Sequence, residues 1–234
     1  MDPILNPTVF VGSFEWREPV TTLTDFLVAI VCWTGYYFFS SEKGNASPSY
    51  PWFKKYFLIF AIGMTSAAWL GHGLQAYVTP NVKIIGWACG ATGLMFLQLG
   101  SLRLIEKQLP QKAKKLLPKW FNLQWILAIS LMFYFLSSGI ETAFKVTQIN
   151  SVIALWGFVL PMQVFSYYKL KNKTSKIVII ALLYSVIPGV VYSTQLSVSN
   201  WFNYHDISHV LMAIFMTMMF LGLYHLTKPN NTFE

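Results

Sequence analysis

Residues 201–226 read WFNYHDISHVLMAIFMTMMFLGLYHL, with no Asp, Glu, Lys or Arg after Asp206. About 20 mostly apolar residues are enough for a helix to cross the hydrocarbon core of a bilayer, so this stretch predicts a membrane-spanning helix. Six further stretches of the chain qualify in the same way. The predicted spans are Pro19–Phe39, Lys55–Tyr77, Lys83–Leu104, Trp120–Ser138, Ile149–Tyr168, Ile177–Leu196 and Trp201–Leu226.

The composition of the whole chain agrees with this prediction. Of its 234 residues, 55% are hydrophobic and only 11% are charged, whereas a soluble domain carries about 25% charged residues. Two cysteines are too few for a disulfide framework or a Cys-rich zinc module, and long continuous apolar runs exclude a β-barrel. We therefore predict an all-α, polytopic membrane protein, a seven-transmembrane helix bundle that forms one domain over residues 1–234.

The charged residues predict the orientation of this bundle. The net charge is +8, from 17 Lys and Arg against 9 Asp and Glu. Among the basic residues, Arg17, Lys83 and Lys145 fall on one side of the predicted bundle, and the rest fall in the first, third and fifth loops or in the carboxyl-terminal tail. Because Lys and Arg concentrate in cytoplasmic loops, we predict an outside amino terminus and an inside carboxyl terminus. The basic loops then face membrane lipids, in the cell membrane or an endomembrane, and not nucleic acid.

Three histidines carry the prediction of a site. His205 and His209 stand four residues apart at the start of the seventh span, a spacing that puts both imidazoles on one helix face, where they can bind one metal ion. His72 lies near the outer end of the second span, at a similar predicted depth. Three imidazoles with one open position form the ligand set of a catalytic zinc centre, so we predict zinc at these residues.

Oxygen-bearing side chains lie at the same predicted depth. Asp25 is in the first span, and Asp206 and Ser208 lie between the two histidines of the seventh. Metal-bound imidazoles usually donate to an acceptor, and hydrolysis needs a group that moves a proton. Asp25, Asp206 and Ser208 are therefore the candidate catalytic residues. The alternative interpretation is a polar helix start exposed to water.

Helical periodicity adds neighbours to this cluster and removes one histidine from it. Glu18 stands seven residues before Asp25, on the same predicted face, and Thr65 and Gln75 share the predicted face of His72. His225 lies at the inner end of the seventh span, about 30 Å along the helix from the other histidines. It is predicted to lie apart from the cluster.

Seven spans, a His near the outer end of the second, and His-x-x-x-His at the start of the seventh resemble the CREST superfamily of membrane hydrolases. This group includes the alkaline ceramidases and the progestin/adiponectin-receptor family, and the outside amino terminus is similar to the ceramidase branch. The resemblance implies that His72, His205 and His209 bind zinc and that a lipid amide is hydrolysed by zinc-activated water. Two positions depart from the family pattern: Ala68 stands where the family has Ser, and the third span begins with Lys83 and lacks the family's Asp.

The function predicted from the sequence is therefore a zinc-dependent intramembrane hydrolase that acts on a lipid amide or ester. One alternative is a haem-binding membrane protein with two of the imidazoles as axial ligands. Another is a non-enzymatic receptor or transporter whose polar cluster binds a small ligand or a proton. A retinal protein is disfavoured, because the seventh span has no Lys to form a Schiff base.

Overall fold

The computed structural model describes residues 7–41 and 47–227, which form one short hairpin followed by helices. The strands are β1 Thr8–Val11 and β2 Phe14–Arg17; the helices are α1 Pro19–Ser41, α2 Tyr50–Ser66, α3 Lys83–Ile105, α4 Gln111–Leu136, α5 Ile140–Val152, α6 Leu160–Lys169, α7 Ser175–Tyr184, α8 Val186–Ser193 and α9 Tyr204–Leu226. A π-helical segment, Ala67–Gly73, continues α2, and a second one, Ile153–Val159, joins α5 to α6.

Six helical segments of the described chain are long and apolar enough to cross a membrane. They are Pro19–Ser41, Pro80–Gln108, Gln111–Leu136, Ile140–Lys169, Ser175–Ser193 and Tyr204–Leu226. The segment made of α2 and its π-helical continuation, which overlaps the predicted second span, is not among these six. A helical protein with six such segments has the composition of a multi-pass membrane protein.

The observed boundaries differ from the predicted ones where a helix extends beyond its apolar part. α4 begins at Gln111 and α5 at Ile140, well before the predicted starts at Trp120 and Ile149. Each start is set by its neighbour: Pro110 is extended and Gly139 has a φ of +120°, so neither residue continues a helix. Hydropathy detects only the apolar portion of such helices.

The all-α prediction also missed the amino-terminal hairpin. Strands β1 and β2 pair antiparallel, with Thr8 opposite Arg17 and Val11 opposite Phe14. Gly12, with a φ of +62°, lies in the turn between them. Strands of 4 residues each are too short to show a reliable alternation of polar and apolar side chains.

The core changes in character along α1. In the first two turns of this helix the buried residues include Thr21, Thr22 and Asp25, whereas further along they include Cys32 and Phe39. The apolar part packs against α2 and α9, and the fully buried side chains there are Phe39, Phe53, Tyr56, Phe57, Met216, Met219 and Leu223. The bundle therefore has an apolar middle and a polar pocket at one end.

Close packing of α9 on α7 depends on Gly222. A Cβ added there would lie 2.6 Å from Val178 Cγ2 and 3.2 Å from the Val178 backbone nitrogen. We expect Gly222→Ala to lower the free energy of unfolding by about 1–3 kcal/mol, as overpacked sites do. Gly90→Ala is the matched control, since its Cβ would meet nothing within 4 Å and alanine favours a helix. Thermal unfolding in detergent should show a lower Tm for the first variant only; equal Tm values would contradict this packing.

Candidate functional site

One end of the bundle gathers the polar residues. The first turns of α1 and α9, the end of the π-helical segment after α2 and the start of α3 meet there. Lys54 lies near the start of α2 and Arg103 near the end of α3, so both are at the helix ends remote from this cluster. The buried polar side chains of this end are Glu18, Thr21, Thr22, Thr24, Asp25, His72, Asp206 and Ser208.

The three predicted ligands, His72, His205 and His209, form a triangle at this end. The ring centroid of His72 lies 6.2 Å from that of His205 and 6.1 Å from that of His209. The rings of His205 and His209 are 6.4 Å apart. Two corners come from one face of α9 and the third from the π-helical segment, an irregularity that is frequent at functional sites.

Asp25 reaches from α1 to two corners of this triangle. Its Oδ1 lies 3.2 Å from Nδ1 of His209 and its Oδ2 lies 3.6 Å from Nε2 of His72. The residue is 1% exposed, and Oδ2 has no hydrogen-bond partner among the described residues. Leaving a buried carboxylate oxygen unsatisfied is costly. A proton, a water molecule or a cation between the carboxylate and the imidazoles would therefore satisfy this oxygen.

Glu18 holds the other side of His72. Its Oε2 forms a hydrogen bond with Nδ1 of His72 and accepts another from Nε2 of Gln75, at 2.6 Å. This arrangement leaves Nε2 of His72 directed toward Asp25. A carboxylate on the second ring nitrogen is the usual way in which proteins orient a metal-binding imidazole.

The backbone and the charge of Glu18 are both unusual. Its φ is +45°, a region that non-glycine residues rarely adopt and that tends to occur at functional sites. Burial raises the pKa of the Glu18 carboxyl, but the hydrogen bond and charge of His72 and the charge of Lys83 outweigh burial and lower this pKa below its usual value. Glu18 is therefore an ionised acceptor at neutral pH, so Nδ1 of His72 carries the proton of their hydrogen bond.

Asp206 has a different task from Asp25. Its Oδ1 accepts a hydrogen bond from Thr21 Oγ1 at 2.6 Å, and its Oδ2 accepts one from the backbone N–H of Asn203 at 2.7 Å. The Asn203 side chain accepts from the backbone of His205 in return, at 2.8 Å, which completes a capping box. Asp206 thus anchors the start of α9 on α1 and positions the two histidines of that helix.

Ser208 is directed away from the triangle. Its hydroxyl donates to the backbone carbonyl of Pro188 in α8, at 3.3 Å. In the described part of the chain, neither Ser208 nor Asp206 forms a hydrogen bond with the three imidazoles. Of the three candidate catalytic residues, the structure brings only Asp25 into contact with the histidine rings.

Two neighbours of the predicted cluster have different outcomes. Glu18 was not among the predicted metal ligands or catalytic residues, but its spacing to Asp25 placed both on one face of α1, and it contacts His72 as a member of that oxygen cluster. Thr65 was expected on the face of His72, but its hydroxyl donates to Ala61 and accepts from the Trp33 indole. Thr65 therefore forms its hydrogen bonds away from the imidazoles.

The hairpin and a polar cavity border this site. Trp16 Nε1 donates to Thr22 Oγ1 at 3.3 Å, and the backbone N–H of Glu15 donates to the Tyr77 hydroxyl at 2.8 Å. These contacts hold the hairpin against the end of the bundle. A cavity of about 290 Å³ opens beside His205 and is lined by polar side chains that include Glu18, Lys83, Asn200, Asn203, Tyr204 and His205.

A profile of a known protein family matches most of the chain. The profile of a family of unknown function, DUF6962, matches residues 20–228. The chain belongs to the DUF6962 family. The matched range of this DUF6962 protein includes Asp25 and all three imidazoles of the triangle. No curated protein and no solved structure matches the chain.

Proposed function

We propose that this DUF6962 protein is a zinc-dependent intramembrane hydrolase that acts on a lipid amide or ester. The observation that carries the proposal is the triangle of three imidazoles around the Asp25 carboxylate, whose Oδ2 has no hydrogen-bond partner among the described residues. Three imidazoles with carboxylate acceptors are the donor set of catalytic zinc centres.

The donor set fits zinc in its chemistry, and the rings stand slightly too far apart. Imidazoles on one tetrahedral zinc ion have ring centroids about 5 Å apart, roughly 1 Å less than the separations here. Within residues 7–41 and 47–227, no three His, Cys, Asp or Glu side chains lie close enough together to hold a metal ion in the observed geometry. Binding at His72, His205 and His209 therefore requires a small inward movement of the rings. Zinc held there would supply an activated water and a Lewis acid for the carbonyl.

Asp25 is the residue that moves the proton in this proposal. With zinc bound, Asp25 would take a proton from the attacking water as the water oxygen bonds to the carbonyl carbon. It would return this proton to the leaving nitrogen or oxygen as the bond between that atom and the carbonyl carbon breaks. The products are a fatty acid and an amine or an alcohol. Glu18 and Asp206 act as positioning residues, through His72 and through α9 respectively.

The proposed placement in the membrane supports a lipid substrate. We place seven spans across the bilayer with the amino terminus outside, the α2 segment being the seventh span in addition to the six apolar ones. The charge distribution favours this orientation, since the Lys-rich helix ends lie opposite the site. His72 and His205 then lie one residue from the outer ends of their helical segments, and His209 lies about 6 Å further along α9. The carbonyl of a lipid amide or ester lies at that depth, between the head group and the acyl chain.

The alternative functions require different ligands at the same cluster of histidines. Haem ligated by His72 and His209 would need its macrocycle between the two rings, but the Asp25 carboxylate contacts both of them there. A receptor or transporter that binds a ligand at this cluster would have no tightly held zinc. Metal content therefore separates a hydrolase from a receptor or transporter.

The test uses the full chain, purified in mild detergent without a metal-affinity tag. We expect about one zinc ion per chain by mass spectrometry, and release of fatty acid from N-acyl amides or acyl esters that a chelator stops. A folded, unstripped protein without zinc would contradict the proposal. A Soret band in the same sample would support the haem alternative.

Glu18→Gln should weaken zinc binding without removing it. A neutral amide is a poorer partner for Nδ1 of His72 than a carboxylate, and loss of such an outer partner lowers metal affinity by about 10–100-fold. Glu15→Gln is the matched control, because that carboxylate pairs with Arg17 at 2.7 Å, outside the triangle. Zinc affinity is measured by competition with a chelator of known affinity. Equal affinities of the two variants would argue against this role of Glu18.

A further inference from the structure

The polar cavity beside His205 is lined by a lysine, Lys83, that forms no ion pair among the described residues, although its charge acts on the Glu18 carboxylate from a longer distance. Glu18 and Lys83 are the lining residues of opposite charge, but the Glu18 carboxylate is bound by His72 and Gln75. Among the residues that the structure describes, no carboxylate oxygen lies within 4.0 Å of the Lys83 ammonium. The Lys83 ammonium is therefore the cationic group that can pair with an anion bound in this cavity.

The position of Lys83 is set by its surroundings. It is the first residue of α3, after the 3₁₀ turn Pro80–Val82, where the helix dipole adds to the positive potential. Its side chain lies beside the π-helical segment, since a Cβ added to Gly71 would stand 3.7 Å from Lys83 Cγ. The half-buried stem is thus held next to the segment that carries His72.

The rest of the lining is suited to the head group of a small polar molecule. Asn200, Asn203 and Tyr204 contribute amide and hydroxyl groups, and His205 connects the cavity to the imidazole triangle. A volume of about 290 Å³ is at the lower limit of small-molecule pockets. It admits a small head group and leaves a long acyl chain outside.

We propose that Lys83 selects lipid substrates whose head group carries an anionic carboxylate or phosphate. This inference rests on the proposed function, because it places the scissile carbonyl at the imidazoles while the anionic group pairs with the Lys83 ammonium. A charge-assisted hydrogen bond at a half-buried site discriminates well against a neutral head group.

The test compares N-oleoylglycine with N-oleoylethanolamine, which share the acyl chain and the amide and differ in a carboxylate against a hydroxymethyl group. Binding to the full chain, treated with chelator so that hydrolysis does not interfere, is measured by native mass spectrometry. We expect the anionic lipid to bind about tenfold more tightly. Lys83→Gln should abolish this preference, and Lys83→Arg should retain it. Lys145→Gln, a lysine on the same predicted side but outside the cavity lining, should leave the preference unchanged.

Several results would overturn the inference. Equal binding of the two lipids by the wild-type protein would do so even if the Lys83 variants failed to fold. A preference that survives Lys83→Gln would do so as well. N-acetylglycine and inorganic phosphate are the free-anion probes, and competition by either as strong as that of N-oleoylglycine would assign the cavity to soluble anions instead.

The outcomes also separate this inference from the proposed function. Fatty-acid release from both lipids without charge preference would leave the hydrolase intact and remove the role of Lys83. Selective binding that depends on Lys83, in a protein without zinc or hydrolysis, would support the anionic-lipid site and contradict the hydrolase.

Discussion

Replacing both His205 and His209 by alanine is expected to reduce bound zinc from about one ion per chain to none and to abolish fatty-acid release. The two imidazoles supply two of the three corners of the triangle, and His72 alone cannot hold the ion in a site that needs three nitrogen ligands. The matched control is His225→Ala, a histidine on the same helix, α9, but at its other end. That variant should keep its zinc and its activity.

Metal content is measured by mass spectrometry on all three proteins, with thermal unfolding as a check that each is folded. A folded double variant that still carries one zinc ion would contradict the assignment of the ligands. Equal loss of zinc in the His225→Ala variant would indicate that the ion is bound elsewhere or nonspecifically.

Asp25→Asn is expected to lower the rate of hydrolysis by about 10²–10⁴-fold, the usual contribution of a group that transfers a proton in the transition state, while zinc stays bound. Asparagine has nearly the same shape as aspartate but cannot accept the proton of the attacking water. The reason to expect so large an effect is geometric: this carboxylate contacts His72 and His209, and its Oδ2 lacks a hydrogen-bond donor in the described part of the protein.

Asp206→Asn provides the comparison for this second prediction. Asp206 accepts hydrogen bonds from Thr21 and from the backbone of Asn203, so its loss should lower the Tm, as loss of a helix cap does, more than it lowers the rate per bound zinc. Initial rates of fatty-acid release are normalised to zinc content. A full rate in the Asp25→Asn variant would contradict the proton role, and complete loss of zinc from it would make Asp25 a ligand instead.

Local periodicity carried much of the correct prediction. The apolar stretches predicted long helices because a run of apolar side chains in consecutive turns is recorded directly in the sequence. Six such helices are present in the described chain. The pair His205 and His209 was placed on one face by its spacing alone, since both residues belong to one regular helix, α9. The starts of α4 and α5 were not predicted, because their polar residues have the same hydropathy as the loops that precede them.

No local sequence pattern showed that Asp25 and Asp206 have different roles. Asp25 and Asp206 both lie close to a helix start and at the predicted depth of the histidines, so the sequence made them equal candidates. In the structure, the Asp206 carboxylate accepts hydrogen bonds from Thr21 and from the backbone at the start of α9. The Asp25 carboxylate instead faces the imidazoles. Which partner each carboxylate meets depends on how α1 packs against α9, helices that are far apart in the sequence.

The sequence by itself thus determined the helical, apolar character of the chain and the shared face of two histidines, because those features depend on neighbouring residues within a single helix. The sequence also proposed His72 as the third histidine of the cluster, but only the tertiary structure decided how His72 is directed toward the other two, that Glu18 orients it and that Lys83 lines the cavity. These three residues lie on a π-helical segment, before a helix and at the first residue of a helix. Their directions depend on backbone irregularities and long-range packing, which hydrophobic periodicity does not encode.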